Sequence, residues 1–313
     1  MTQDLFGTDL FGEPIKPPSA GVLADRFIFP PFSVLSARDG AWQDRKRRWL
    51  SYGIDGETKA EGRADGLTFN VGDWFAEKGL SGAATGDTSI FDPVLAELAY
   101  SWFCRPGGVV VDPFAGGPCR GVVAGLMGLR YWGSDIRAEQ VDANRRCADR
   151  VAPDTMPEWV CGDSTDTLAG APDADLIFSC PPYGDLEKYS DNPADISTME
   201  YHTFMAAYRR IILRATQRLR QDRFAMFVVG DFRNPKTGAY RNFVSDTIES
   251  FRQCGLELYN EAILVTAVGS LAVRADKQFR VSRKLGKTHQ NILVFVKGDP
   301  RRAARFCDGE AAS

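Results

Sequence analysis

The chain has 313 residues, 44% of them hydrophobic, which is enough to bury a full α/β core, and it holds no apolar run long enough to span a bilayer. A formal net charge of −3 excludes a uniformly basic nucleic-acid coat, although a local basic face suffices to contact phosphates. Seven cysteines without a Cys-x-x-Cys pair, and only His202 and His289 as partners, exclude a zinc framework; their odd number and the lack of a secretory leader point to a reducing cytoplasm and no membrane.

Residues 1–25 read as a flexible arm. They are Pro-rich and carry the near repeat Asp4-Leu-Phe-Gly and Asp9-Leu-Phe-Gly, with a short docking motif as the alternative. Residues 26–86 form an extension with a basic run, Arg45, Lys46, Arg47 and Arg48, set between Trp42 and Trp49. Cations interleaved with aromatics suit phosphate and base contact, while a solvated helix face is the plainer reading. The segment 87–300 reads as the main domain, and 301–313 as a tail.

Within that domain Leu95–Phe103 is an apolar helix that stops before Arg105-Pro-Gly-Gly. Val109–Asp112 is a buried strand, followed by Pro113, Phe114, Ala115, Gly116 and Gly117 and then a helix over 121–129. Strands follow at about 131–135, 158–161 and 176–180, a helix at 201–219, a strand at 223–230, a helix at 243–254, an extended stretch at 256–266 and a closing strand at 291–297. Alternating strands and helices with a late hairpin describe a doubly wound, mostly parallel α/β sheet with one antiparallel strand.

The glycine turn after the first strand makes a nucleotide-type crevice. It is neither a dinucleotide fingerprint nor a P-loop, because neither glycine spacing nor Gly-Lys-Ser/Thr occurs. Asp135, ending the next strand beside Ile136, is placed to accept ribose hydroxyls, and Asp163 with Ser164 offers a carboxylate for an adenine amine. Ser179, Cys180, Pro181, Pro182 and Tyr183 follow a buried run. Two prolines fix φ and remove two donors, so a carbonyl and an aromatic ring stand at the sheet's mouth, a geometry that suits gripping a flat heterocycle by its amine. A Pro-Pro turn that merely closes a strand is the plain alternative.

These motifs resemble S-adenosylmethionine-dependent DNA amino-methyltransferases. Asp112-Pro-Phe-Ala-Gly-Gly is similar to their cofactor motif, Cys180-Pro-Pro-Tyr183 to their catalytic (Asp/Asn/Ser)-Pro-Pro-(Tyr/Phe) motif, and the stretch from Thr88 through Phe91 to Val94 to their additional cofactor motif. The stretch 283–297 resembles their closing strand, and the head resembles phage- and prophage-type members, so the likeness runs from Thr88 to Lys297 in one order. It implies a seven-stranded Rossmann-like methyltransferase sheet and S-adenosylmethionine as cofactor. The implied substrate is double-stranded DNA with its target base flipped out, methylated at cytosine N4 or adenine N6.

One residue departs from the pattern. Cys180 stands where Asp, Asn or Ser is usual, and a thiol is a poor acceptor. Either Ser179 or a backbone carbonyl takes over, or the thiolate adds to a pyrimidine for C5 methylation, or Cys180 is a small buried residue. RNA or protein methylation, and a noncatalytic protein with a degenerate methyltransferase fold, are further alternatives.

Gly184–Thr198 is long enough for a lid, and Ala267–Lys287 is basic, with Arg274, Lys277, Arg280, Arg283, Lys284 and Lys287. No target-recognition domain fits between Gly117 and Ser179, so recognition is expected from the head, from the stretch after Lys188 or from a partner, with 26–86 favoured and 267–287 helping. The oligomeric state is open, a homodimer being one option.

Overall fold

A computed structural model describes residues 23–54, 90–184, 192, 194–269 and 271–309, except for the side chains of 272–274. The N-terminal repeat, Thr88, residues 55–86 of the expected 26–86 extension, most of the expected lid and the Arg274 side chain lie outside the described residues.

The described strands are β1 (Val34–Ser36), β2 (Val109–Asp112), β3 (Arg130–Asp135), β4 (Glu158–Cys161), β5 (Ala174–Ser179), β6 (Leu219–Val229), β7 (Glu257–Val265) and β8 (His289–Lys297). They form one sheet in the order β1-β7-β8-β6-β5-β2-β3-β4. Its strands run parallel except β8, which is antiparallel to both β6 and β7. The helices are α1 (Leu23–Phe27), α2 (Gly40–Ser51), α3 (Pro93–Phe103), α4 (Cys119–Leu126), α5 (Ala138–Val151), α6 (Ser164–Thr167), α7 (Tyr201–Arg218), α8 (Phe243–Gln253), α9 (Leu271–Ser282) and α10 (Pro300–Cys307).

The central strands are continuously apolar because both faces are covered. Along β6, Phe224, Met226 and Val228 enter one core while Ala225, Phe227 and Val229 enter the other. Val110 and Val111 of β2 divide in the same way, which is the two-residue period of an extended chain between two helical layers. One layer contains α2, α3, α4 and α5, and the other α7 and α8. The doubly wound, mostly parallel sheet read from the sequence is therefore the observed one.

The sheet has eight strands rather than seven. The addition, β1, extends the edge beyond β7 through Ile263 N–H to Ser33 O (2.8 Å) and Ala37 N–H to Val265 O (2.9 Å). Three residues after a Pro-Pro pair carry no period to read, so β1 was hidden in the expected extension. The described part of that extension belongs to the domain: Trp42 and Trp49 of α2 are 1% and 0% exposed in the core. The expected tail is also docked in part, because α10 buries Ala303 and sets the Phe306 ring under the Arg223 guanidinium. The basic stretch 267–287, read without regular structure, contains α9.

Asp175 at the start of β5 is 1% exposed and holds three arginines. Its carboxylate accepts from Val109 N–H (3.0 Å) and pairs with Arg220 (2.9 Å), Arg223 (3.2 Å) and Arg105 (3.5 Å). Burial pushes its pKa up, but the Val109 N–H and the Arg220 and Arg223 guanidiniums outweigh it and hold the carboxyl below its ordinary value. A pKa lowered on folding adds stability that is present above the unfolded value of about 4 and lost as pH falls through the lower native one. Asp175→Asn is expected to cost about 3 kcal/mol at neutral pH. Urea unfolding of both proteins should show that gap narrowing below about pH 4.

Candidate active site

The strand order reverses between β2 and β5, and their carboxyl ends are tied together. Ser179 Oγ donates to Asp112 Oδ1 at 2.5 Å. Asp112 is fully buried and also accepts from Phe114 N–H (3.1 Å), Arg120 Nε (2.6 Å) and Tyr131 OH (2.9 Å). The second Arg120 nitrogen, Nη2, donates to the carbonyls of Phe114 (2.6 Å) and Ala115 (3.0 Å), fixing the turn. Burial pulls the Arg120 pKa down, but the Asp112 carboxylate against it more than compensates and the guanidinium ends above its ordinary value. Burial, then Asp112, pushes the Tyr131 hydroxyl up.

Gly116 completes the turn at φ +50, a conformation that suits glycine. Its N–H donates to Asp135 Oδ2 (3.0 Å) and its carbonyl accepts from Asn144 Nδ2 (2.7 Å). Asp135 Oδ1 accepts from Arg137 N–H (2.9 Å). Asp163 caps α6 through Thr165 N–H (2.7 Å), and Ser164 Oγ donates to the Pro113 carbonyl (2.6 Å). The carboxyl ends of β2, β3 and β4 are thus braced by one another's side chains.

A cavity of about 380 Å³ opens there. Its lining includes Phe91, Pro113, Phe114, Gly116, Asp135, Ile136, Asp163 and Ser164 together with Cys180, Pro181, Pro182 and Tyr183. Cys180 Sγ lies 3.9 Å from Tyr183 OH, which accepts from Gln290 Nε2 at 2.8 Å. The Tyr183 ring meets Phe243 edge-on at 6.2 Å between centroids. None of the seven cysteines is in a disulfide, and among the described residues no His, Cys, Asp and Glu group is arranged to hold a metal. Among those residues no helix is long and apolar enough to cross a membrane.

Several expected site residues stand elsewhere. Ser179, expected beside the reacting base, is 0% exposed and serves Asp112 instead. Asp112 and Ala115, expected against the cofactor, are buried behind the turn, and Gly117 does not line the cavity. The expected phosphate-binding run of α2 is also altered. Arg45 grips the buried Glu97 with both nitrogens (2.6 and 2.5 Å), and Lys46 pairs with Asp92 at 3.1 Å. Trp42 and Trp49 bury one face of the helix, and residues three and four positions after Trp42 share that face, which turns Arg45 and Lys46 inward. Arg47 and Arg48 stay exposed, Arg47 pairing with Asp44.

At the other cluster Arg280 is exposed and pairs with Asp276 (2.9 Å), and Arg283, at φ +55, lies over Phe279. Lys287 is half-buried and donates to the Asp231 carbonyl (3.2 Å); burial lowers its pKa. The sequence reading passed over Gln43, Lys46, Asp92, Asp195 and Gln290 as cavity-lining residues. Only Asp92, the helix cap of an Asp-Pro pair inside a quoted motif, carried a local cue.

The sequence matches no protein-family model and no curated protein. Similar solved structures include TrmN from Thermus thermophilus (14% identity, TM-score 0.44, 66% of this chain and 49% of that one). Others are magnesium protoporphyrin IX methyltransferase (ChlM) from Synechocystis PCC 6803, solved with bound SAM (13%, 0.43, 84% and 94%), and a methyltransferase from Pyrococcus furiosus (15%, 0.44, 74% and 100%). This chain spans about half the length of TrmN. All three TM-scores lie below one half.

Proposed function

We propose that the chain is an S-adenosylmethionine-dependent methyltransferase acting on the exocyclic amine of a base flipped out of DNA, at cytosine N4 or adenine N6. One observation carries the reading: one cavity at the sheet's switch point is lined both by acids at or just after strand ends and by Cys180-Pro-Pro-Tyr183. The residues suit the cofactor. Asp135, ending β3 in the cavity wall, suits ribose hydroxyls, Asp163 offers a carboxylate for the adenine amine, and Phe91, Phe114 and Ile136 make apolar walls.

S-adenosylmethionine bound there supplies an electrophilic methyl group. Displacement at that carbon needs alignment and an acceptor for the developing N–H charge more than an activated nucleophile. With Ser179 committed to Asp112, the acceptor falls to a backbone carbonyl at the end of β5, and Tyr183 stacks on the base. An amine held in a base pair cannot reach such a site, hence the flipped base.

Calorimetry should register S-adenosylmethionine binding; no affinity removes the enzyme reading. Mass spectrometry of nucleosides from cells expressing the protein should then find N4-methylcytosine or N6-methyladenine in DNA. Cys180→Ser is expected to keep turnover within roughly tenfold, since a serine hydroxyl can replace the thiol beside Tyr183 OH. Complete loss in this variant, with a trapped covalent DNA adduct in the wild type, would assign C5 chemistry to Cys180 instead.

A further inference from the structure

Two of the four cations expected in α2 are spent on Glu97 and Asp92, and a denser basic surface lies on another part of the chain. A polar connection of residues 230–242 links β6 to α8. It folds as a small hairpin in which Arg233 bridges Tyr240, Asn234 N–H donates to Ala239 O (2.8 Å) and Gly238 N–H to Asn234 O (2.8 Å). The Asn234 side chain accepts from Lys236 N–H at 2.9 Å, holding the tip. Arg233 lies 4.0 Å from the Tyr240 ring centroid, while Lys236 is exposed and Tyr240 is 42% exposed.

The basic segment after α9 packs against this hairpin. A methyl group on Gly238 would meet Lys284 Cε and Nζ at 3.1 Å, and Lys287 Nζ donates to Asp231 O. Residues 231–242 and 276–287 together hold eight Lys and Arg against two Asp, in a chain whose formal net charge is −3. Of the two, Asp231 accepts from Val244 N–H and Asp276 pairs with Arg280. Phe279 and Leu285, 43% and 70% exposed, stand among the cations.

This surface adjoins the cavity. Phe243, which opens α8 directly after the hairpin, meets the Tyr183 ring, and Ala267 and Gln290, which bracket the basic segment, both line the cavity. We infer that the 231–242 hairpin and the 276–287 segment form one composite surface that grips DNA beside the flipped base, with Lys236, Arg283 and Lys284 on phosphates and Tyr240 and Phe279 as stacking platforms. Clustered cations with interleaved aromatics fit a polyanion with planar bases, and an overall acidic chain has few reasons to concentrate positive charge at the mouth of its site. The inference rests on the proposed function and names where its substrate is held.

The test is fluorescence anisotropy of a fluorescein-labelled mixed-sequence duplex across a salt series, with S-adenosylmethionine calorimetry and thermal melting on every variant. Lys236→Gln with Lys284→Gln should weaken duplex binding about tenfold and make the log–log salt slope shallower by about two, leaving cofactor affinity and melting unchanged. Tyr240→Ala should weaken binding at unchanged slope. Arg47→Gln with Arg48→Gln should alter neither. An unchanged slope in the Lys236/Lys284 variant, a slope change that follows Arg47/Arg48 instead, or no salt-dependent duplex binding by a wild type that does bind cofactor would each overturn the surface while the cofactor reading stands. Structured RNA that outcompetes the duplex would overturn DNA as its occupant.

Discussion

Tyr183→Ala is expected to reduce methyl transfer at least a hundredfold while leaving S-adenosylmethionine binding intact. Removing the ring forfeits stacking worth about 1–3 kcal/mol per base and frees the base to rotate away from in-line alignment, a misplacement that itself costs about a hundredfold. Cofactor binding should survive because the glycine turn, Asp135 and Asp163 are braced by Arg120, Asn144, Arg137 and Thr165, bonds that the substitution leaves in place. Tyr183→Phe separates the ring from its hydroxyl. It loses the bond from Gln290 and the contact with Cys180 Sγ but keeps the ring, and should retain most turnover. Radiolabelled methyl transfer measured beside cofactor calorimetry decides the matter, and wild-type turnover in Tyr183→Ala would overturn the assignment of the Pro-Pro-Tyr motif.

Asp112→Asn is expected to lower folding stability by about 3–5 kcal/mol, because it leaves the Arg120 guanidinium buried without its counter-charge. Arg120 is 4% exposed, and the asparagine amide presents two donor hydrogens to a site that already supplies four donors. Out of a total of about 5–15 kcal/mol, such a loss is large. The double variant Asp112→Asn with Arg120→Met should recover part of it, since replacing both members of a buried ion pair is milder than removing one. Urea unfolding of the two variants measures the effect. If the single and double variants are equally stable, the ion pair is not what holds the two strand ends together.

Asp112 also marks the boundary of what is legible in a sequence. That an acid ends the first buried strand, that glycines follow, and that a Pro-Pro-Tyr step ends a later one can be read directly, because each is a local pattern with a local cause: apolar runs, positive φ, fixed φ. Whether Asp112 faces a ligand or the protein is not local. Its partners Tyr131 and Ser179 are 19 and 67 residues away, and only strand order brings them to its two oxygens. The same holds for α2. The run Arg45, Lys46, Arg47 and Arg48 looks uniform, yet burial of two tryptophans rotates half of it onto acids at positions 92 and 97.

The sequence by itself determined the α/β alternation, the covered parallel strands, the antiparallel closing strand and the order of the cavity-forming turns, since hydrophobic period and turn chemistry act within a few residues. Tertiary structure alone decided that an eighth strand joins the edge and that Ser179 and Asp112 brace the sheet instead of facing the cavity. It also decided that Gln290 holds the Tyr183 hydroxyl and that a hairpin and a basic segment about 50 residues apart share one surface. A side chain's role follows from which groups saturate its donors and acceptors, and in a sheet whose neighbours are rarely consecutive those groups come from distant parts of the chain.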